Sequence, residues 1–194
     1  MVEDHTALIQ VRNLSRRFNS TWALHGIDLE IGKGELFGIV GPDGAGKTTL
    51  IQSLCAILDP TEGTVMVGGL DSVADAGHIT STIGYMSQAY SLYGNLTVEE
   101  NLEFFAEVRQ VSSEIFIDRK KKLLHFSGLA QFLDRRTRNL SGGMQKKLAL
   151  CCSLIHEPDL LILDEPTLGV DPLSRRDLWH MLDEYRAQNL TVIN

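Results

Sequence analysis

The stretch Phe37–Leu54, FGIVGPDGAGKTTLIQSL, constrains the fold more than any other part of the 194-residue chain. An apolar run stops at Gly41, crosses a loop with two further glycines, and enters a helix-like pattern through Lys47, Thr48 and Thr49. The residues Gly41-Pro42-Asp43-Gly44-Ala45-Gly46-Lys47-Thr48 satisfy G-x-x-x-x-G-K-[ST] at every fixed position. Glycines let a backbone wrap closely around a polyphosphate with its N–H groups turned inward. The helix that follows adds unpaired donors and the positive end of its dipole. In such a loop Lys47 reaches the outer phosphates and the Thr48 hydroxyl is a ligand for Mg²⁺. The expected occupant is therefore a nucleoside triphosphate with Mg²⁺.

A second stretch fits the first. LLILDEP (160–166) is an apolar run ending in two acids, the pattern of a strand buried on both faces of a parallel sheet. The carboxyl end of such a strand opens on the crevice where ligands bind, which places Asp164 to hold Mg²⁺ and Glu165 to orient or deprotonate an attacking water. Two acids before a proline also make an ordinary turn. The phosphate loop about 115 residues earlier argues against that plainer reading.

LSGGMQKKLAL (140–150) raises a further question. Ser141 suits an N-cap, and Gly142 and Gly143 open a helix that carries Gln145, Lys146 and Lys147. This is a second helix end fit for an anion, remote from the first. The two ends need not serve the same nucleotide. If two copies meet head to tail, the second end of each closes over the nucleotide held by the other.

The rest of the chain supplies an α/β frame. Residues 7–37 alternate as strands, 35–40 form a short buried strand into the glycine loop, and 47–57 continue as helix. Residues 63–69 and 82–88 are further strand candidates. Thr97 with Glu100 is a capping-box pattern, and Val98, Leu102, Phe105 and Val108 follow it at helical spacing. A helix over 114–126 ends at Gly128, another stops near Pro158, and a third covers 174–188 with Leu178, Leu182 and Tyr185 on one face. LTVIN (190–194) reads as an incipient strand. The expectation is one incomplete domain over 1–194. Residues 1–88 and 141–194 form its core and β subdomain, and 89–140 a helical insert.

Composition narrows the class. The longest apolar runs fall far short of the ~20 residues needed to span a bilayer, and the acidic N-terminus lacks a secretion signal. Cys55, Cys151 and Cys152 are too few and too unevenly placed for a disulfide framework, so buried thiols are expected. A net charge of −7 argues against a nucleic-acid platform. Within Ser112–Lys147, however, nine Lys or Arg stand against three Asp or Glu. That block is either a solvated helix face or an attractor for an anionic surface.

Taken in order, the phosphate loop, MSQ (86–88), LSGG, LLILDEP and LGVD (168–171) resemble the nucleotide-binding domain of the ABC ATPase family, over essentially the whole chain. The resemblance implies an α/β fold: a P-loop NTPase core with an N-terminal antiparallel β subdomain and a helical insert. It implies an ATP-hydrolysing, Mg²⁺-dependent motor with ATP sandwiched at a head-to-tail dimer, either a homodimer or a pairing with a second ABC ATPase domain. It further implies integral membrane permease subunits as partners and a cytoplasmic location, peripheral on the cytoplasmic face of the membrane.

On the matching positions, Phe18 stacks on adenine, with Trp22 as substitute. Gln88 senses Mg²⁺ and the attacking water, Ser141 and Gly143 contact the γ-phosphate across the dimer, and Asp171 couples the two sites. The segment after Gln88 offers Tyr90, Leu92, Tyr93 and Leu96 either for docking to the permease or for packing within the insert. Met144 stands where the family usually has glutamine. With LDEPTLGVDPLSRRDLW downstream, it resembles the ABC-2 branch that serves drug, antibiotic and lipid exporters. The family also places a histidine beyond the LTVIN strand, and the sequence stops before it. The expectation is a truncated domain that retains ATP binding and whose hydrolysis is in doubt. A soluble ABC ATPase acting on ribosomes or DNA is the alternative.

Overall fold

β1 (Ala7–Phe18) and β2 (Thr21–Gly32) pair as a long antiparallel hairpin in the computed structural model, which describes residues 7–89 and 92–194. Period-two alternation drives the pairing: Ile9, Val11 and Ile31 are buried while Gln10, Arg12 and Glu30 face solvent. β4 (Glu62–Val67) adds to the other side of β1, and β5 (Leu70–Asp71) adds to β4. The sheet order is thus β2-β1-β4-β5.

The second sheet is parallel, in the order β3-β8-β7-β6. It is built from β3 (Leu36–Phe37), β6 (Gly84–Met86), β7 (Leu160–Leu163) and β8 (Thr191–Ile193). All four residues of β7 are buried, and they alternate between two cores. Leu160 and Ile162 pack with Ile51 and Leu54 of helix α1 (Lys47–Leu54) and with Ile9 and Val65 of the antiparallel sheet. Leu161 and Leu163 pack on the opposite face with residues of three helices: Leu102 of α3 (Val98–Val108), Leu150 of α5 (Gly142–Leu154) and Leu178 of α6 (Pro172–Arg186). Burying each such side chain contributes roughly 2 kcal/mol. The strand expected to be apolar on both faces is so because each face closes a different core.

α2 (Ala76–Thr82) precedes β6, and α4 (Ser113–Ser127) follows α3 and ends at Gly128. The capping box at the start of α3 is complete: Thr97 accepts from the Glu100 N–H, and the Glu100 carboxylate accepts from the Thr97 N–H. The buried stripe of α3 includes Val98, Leu102 and Ala106, but Val108 is 59% exposed where the helix runs off the core. Asn101 is fully buried on that helix. Its side-chain amide donates to the carbonyls of Tyr93 and Thr97 and to the Thr137 hydroxyl, and its carbonyl oxygen accepts from the Tyr93 N–H.

One expectation is corrected. The strand read over 35–40 is only Leu36–Phe37, and it is buried on one face alone: Leu36 is 43% and Val40 97% exposed, while Phe37 and Ile39 are half-buried against the core. Its ladder partner is β8, which pairs Val192 and Ile193 with Leu36 and Phe37, and the Ile39 N–H still donates to Asn194 O before the chain enters the glycine loop. The helix read over 47–57 closes at Leu54: Cys55 still bonds back to Ile51 O, and Ala56 then takes a left-handed φ of 54, which ends the helical path.

Part of the basic block is spent inside the molecule. Arg119 pairs with Glu157 at 2.7 Å, Lys147 with Asp177 at 2.6 Å, and Lys120 with Glu99. These pairs fasten α4 to α3 and to the turn after α5, and α5 to α6, and leave a smaller free cationic surface than the sequence suggests. The three cysteines are buried and unpaired. Burial pushes the Cys151 thiol up to about 12.

Candidate functional site

The glycine loop begins where β3 ends and delivers its last residue, Gly46, as the N-cap of α1. Gly46 has φ +89, and a Cβ there would lie 2.4 Å from the Ala23 carbonyl oxygen, so only glycine fits between the loop and β2. No side chain caps this helix end, which leaves its N–H groups for a ligand. The Lys47 ammonium folds back over the loop and donates to the carbonyls of Gly41 (2.9 Å) and Pro42 (3.0 Å). Inside the loop the Ala45 N–H donates to Pro42 O.

β7 carries Asp164 to the same place from the far side of the sheet. Asp164 is 3% exposed, its N–H donates to Met86 O at the end of β6, and its carboxylate accepts from the Thr48 hydroxyl at 3.3 Å. A buried carboxylate facing a hydroxyl across the end of a parallel sheet is an oxygen donor pair of the kind a hard divalent cation takes. The next residue, Glu165, sits at φ 51, in the left-handed region, and its carboxylate accepts from the Gln88 amide at 3.0 Å. Gln88 lies two residues past β6.

One cleft of about 400 Å³ is formed by Phe18, Ala23, Asp43, Gly44, Gly46, Lys47, Thr48, Thr49, Gln88 and Glu165, with the buried Asp164 behind Thr48 and not itself in the lining. Phe18 stands at its edge, 45% exposed, with the Arg16 guanidinium 4.9 Å from its ring centroid. Trp22 does not line the cleft. It stacks on His25 at 5.5 Å and lies beneath Arg17.

Ser141, Gly142, Gly143 and Asp171 are not among the lining residues; they form a second group. Ser141 caps α5 by accepting from the Met144 N–H, and Asp171 caps α6 by accepting from the Ser174 N–H at 2.9 Å. The two helix starts touch: a Cβ on Gly143 would lie 2.6 Å from the Ser174 hydroxyl and 3.3 Å from the Asp171 carboxylate. Hydrogen bonds from the Ser174 backbone and side chain hold the Asp171 carboxyl below its usual range.

The segment after Gln88 is divided in its surroundings. Tyr90 lies outside the described residues. Leu92 packs against the helical core, while Tyr93 is 49% exposed with its ring 4.6 Å from that of Phe104. Residues 94–98 bond to 133–138 through Thr137 N–H to Leu96 O and Val98 N–H to Arg135 O, which joins this segment to the approach to Ser141.

Sequence reasoning missed Lys146. It is 5% exposed, and its ammonium donates to the carbonyls of Glu165 (3.1 Å) and Leu168 (2.7 Å). Burial pushes its pKa down, and the Glu165 carboxylate pulls it partly back. The signal was present: Lys146 stands three residues after Gly143 and four before Leu150, on the stripe that α5 buries.

The profile of the ABC transporter family matches residues 24–168, which is most of the chain. The chain belongs to the ABC transporter family. It is 42% identical over 189 residues to a protein of Escherichia coli (strain K12), the "Probable multidrug ABC transporter ATP-binding protein YbhF", covering 96% of this chain and 33% of that protein. It is 36% identical over 188 residues to the "Nod factor export ATP-binding protein I" of Cupriavidus metallidurans, covering 97% of this chain and 62% of that protein. The chain therefore spans between one third and somewhat under two thirds of these relatives. Among solved structures, the dimeric post-hydrolysis state of the ATP-binding cassette MJ0796 bound to ADP and Pi superposes with a TM-score of 0.85 at 26% identity, over 95% of this chain and 86% of that one. The α/β fold with a P-loop NTPase core is that of the ABC cassettes. Among the described residues no helix is long and apolar enough to cross a membrane.

Proposed function

We propose that this ABC transporter chain is the ATP-hydrolysing motor of a membrane exporter of the ABC-2 branch, acting as a pair with a second copy or a second such domain. One observation carries the reading: two phosphate-type groups stand apart on one chain. Lys47, Thr48, Gln88 and Glu165 share one cleft with Asp164 bonded behind Thr48, and the Ser141–Gly143 helix tip lies outside it. The α5 tip, with Ser141 and Gly142 exposed and Gly143 seated against α6, fits an anion brought by another molecule. The relatives' names, multidrug and Nod factor export, support an exporter, and the ADP- and Pi-bound dimeric cassette supports the pairing.

In this reading Gly41–Thr49 wraps the phosphates of ATP, and Phe18 lies against the adenine. The Lys47 ammonium exchanges the Gly41 and Pro42 carbonyls for outer phosphate oxygens. Thr48, Gln88 and Asp164 would hold Mg²⁺, which would screen the phosphate charge. Glu165, oriented by Gln88, turns a water toward the γ-phosphate and takes its proton. Ser141, Gly142 and Gly143 of the partner close the site, and Asp171 links each closure to the helix start beside it. The insert over 89–140 transmits the motion to permease subunits at the cytoplasmic face of the membrane.

Sedimentation of the Glu165→Gln full gene product tests the pairing. A slowly hydrolysed ATP analogue with Mg²⁺ is expected to convert monomer to dimer, and MgADP is not. Monomer alone at high protein and nucleotide would overturn the reading.

A further inference from the structure

The turn from Glu165 to Val170 has to hold a residue in an unfavourable conformation. Glu165 adopts φ 51 although it has a side chain, a backbone state that persists only when its surroundings enforce it. Within the turn the Leu168 N–H donates to Glu165 O at 3.2 Å, and the Val170 N–H to Thr167 O at 3.2 Å. Neither bond reaches beyond the turn.

Lys146 supplies the external anchor. Its ammonium bonds the carbonyls of Glu165 and Leu168 together, so both ends of the tight bend are pinned to α5. Placing an ammonium at 5% exposure costs solvation that an apolar residue on the same stripe would not incur. Charge-assisted bonds to two carbonyls offset that cost, and no apolar residue can make them. On the other side of the same residue the Glu165 carboxylate is held by Gln88. The backbone of Glu165 is thus fixed from α5 and its side chain from the segment after β6.

We infer that Lys146 is a positioning residue for Glu165: it fastens the helix whose tip closes on a partner's nucleotide to the backbone of the residue whose carboxylate acts on this chain's own nucleotide. The inference rests on the motor reading above. It adds a physical link between the two half-sites of one chain, besides the contact of Gly143 with Ser174 and Asp171.

The test compares Lys146→Met and Lys146→Arg in the full gene product. It measures kcat and KM for ATP, affinity for MgADP by calorimetry, and amide hydrogen exchange over 165–170. Lys146→Met is expected to lose roughly tenfold or more in kcat while MgADP affinity stays within about twofold, because only the carboxylate's placement changes. Exchange at the Leu168 amide is expected to accelerate while that of Leu50, bonded to Gly46 O, does not. Lys146→Arg, which keeps donors for both carbonyls, is expected to restore most of the rate. The inference is overturned if Lys146→Met keeps kcat within twofold, loses MgADP affinity in proportion to kcat, or leaves exchange over 165–170 unchanged. It is also overturned if Lys146→Arg is as slow as Lys146→Met. Wild-type protein that binds MgADP yet hydrolyses no ATP would instead sink the motor reading, and the exchange rates alone would then decide the role of Lys146.

Discussion

The hydroxyl of Thr48 lies 3.3 Å from a carboxylate oxygen of Asp164, across 116 residues of chain. One group comes from the first turn of α1 and the other from the end of β7, so the contact exists only when the parallel sheet is assembled.

That contact carries a stability cost. A carboxylate at 3% exposure with a hydroxyl for a neighbour is tolerated for function. Asp164→Asn keeps the shape and removes the charge. It is expected to raise stability by about 1 kcal/mol in the absence of nucleotide and metal, read by urea denaturation. The same variant is expected to lose the Mg²⁺-dependent part of nucleotide affinity. A destabilised Asp164→Asn would show that the carboxylate serves the fold.

Gly142 and Gly143 are adjacent and should respond differently. A Cβ on Gly142 meets nothing within 4 Å, whereas one on Gly143 meets Ser174 at 2.6 and 2.8 Å. Gly142→Ala is expected to be neutral or to stabilise by about 0.5 kcal/mol, as alanine does in a helix. Gly143→Ala is expected to cost about 1–2 kcal/mol by pushing α5 from α6, and to weaken nucleotide-driven pairing beyond that cost. Thermal unfolding and sedimentation separate the two effects.

His156 gives the molecule an acid-sensitive point away from the cleft. Its Nε2 lies 3.2 Å from Ile83 O, and its Nδ1 is buried without a partner among the described residues. Burial, reinforced by Arg109 and then Arg119, pushes its pKa down to about 4. A histidine that stays neutral in the fold but charges in the unfolded chain costs stability as pH falls from about 6.5 to about 4, and no more below that. Between pH 7.5 and 5 the loss from this residue is expected to be about 2 kcal/mol. His156→Gln should remove that part of the slope in urea titrations at several pH values; an unchanged slope would exclude His156 as its source.

Much of this was legible in the chain because the informative residues sit at fixed local spacings. The phosphate loop, the capping box at Thr97 and Glu100, and the apolar run of β7 each state their structure within a few residues. β5 and α2 were not legible: two residues, and seven with Ile79 as their one large apolar side chain, make no periodic signal, and the N-cap Asp75 makes no capping bond of its own. The extent of β3 depends on a partner strand more than 150 residues away, so its own apolar pattern over-called it. The buried roles of Lys146 and Asn101 depend on partners that only the folded chain brings near, the carbonyls of Glu165 and Leu168 for one and the Thr137 hydroxyl for the other, and residue type alone pointed outward.

β7 presents Leu160 and Ile162 to one interior and Leu161 and Leu163 to the other. Its neighbours do likewise, with Met86 and Val192 on one side and Tyr85 and Ile193 on the other, so the two interiors share this one sheet as a party wall. Loosening on either side exposes the back of the other, so the nucleotide half and the helical half should melt together in one step. A drug or mutation that softens one of them would register in both.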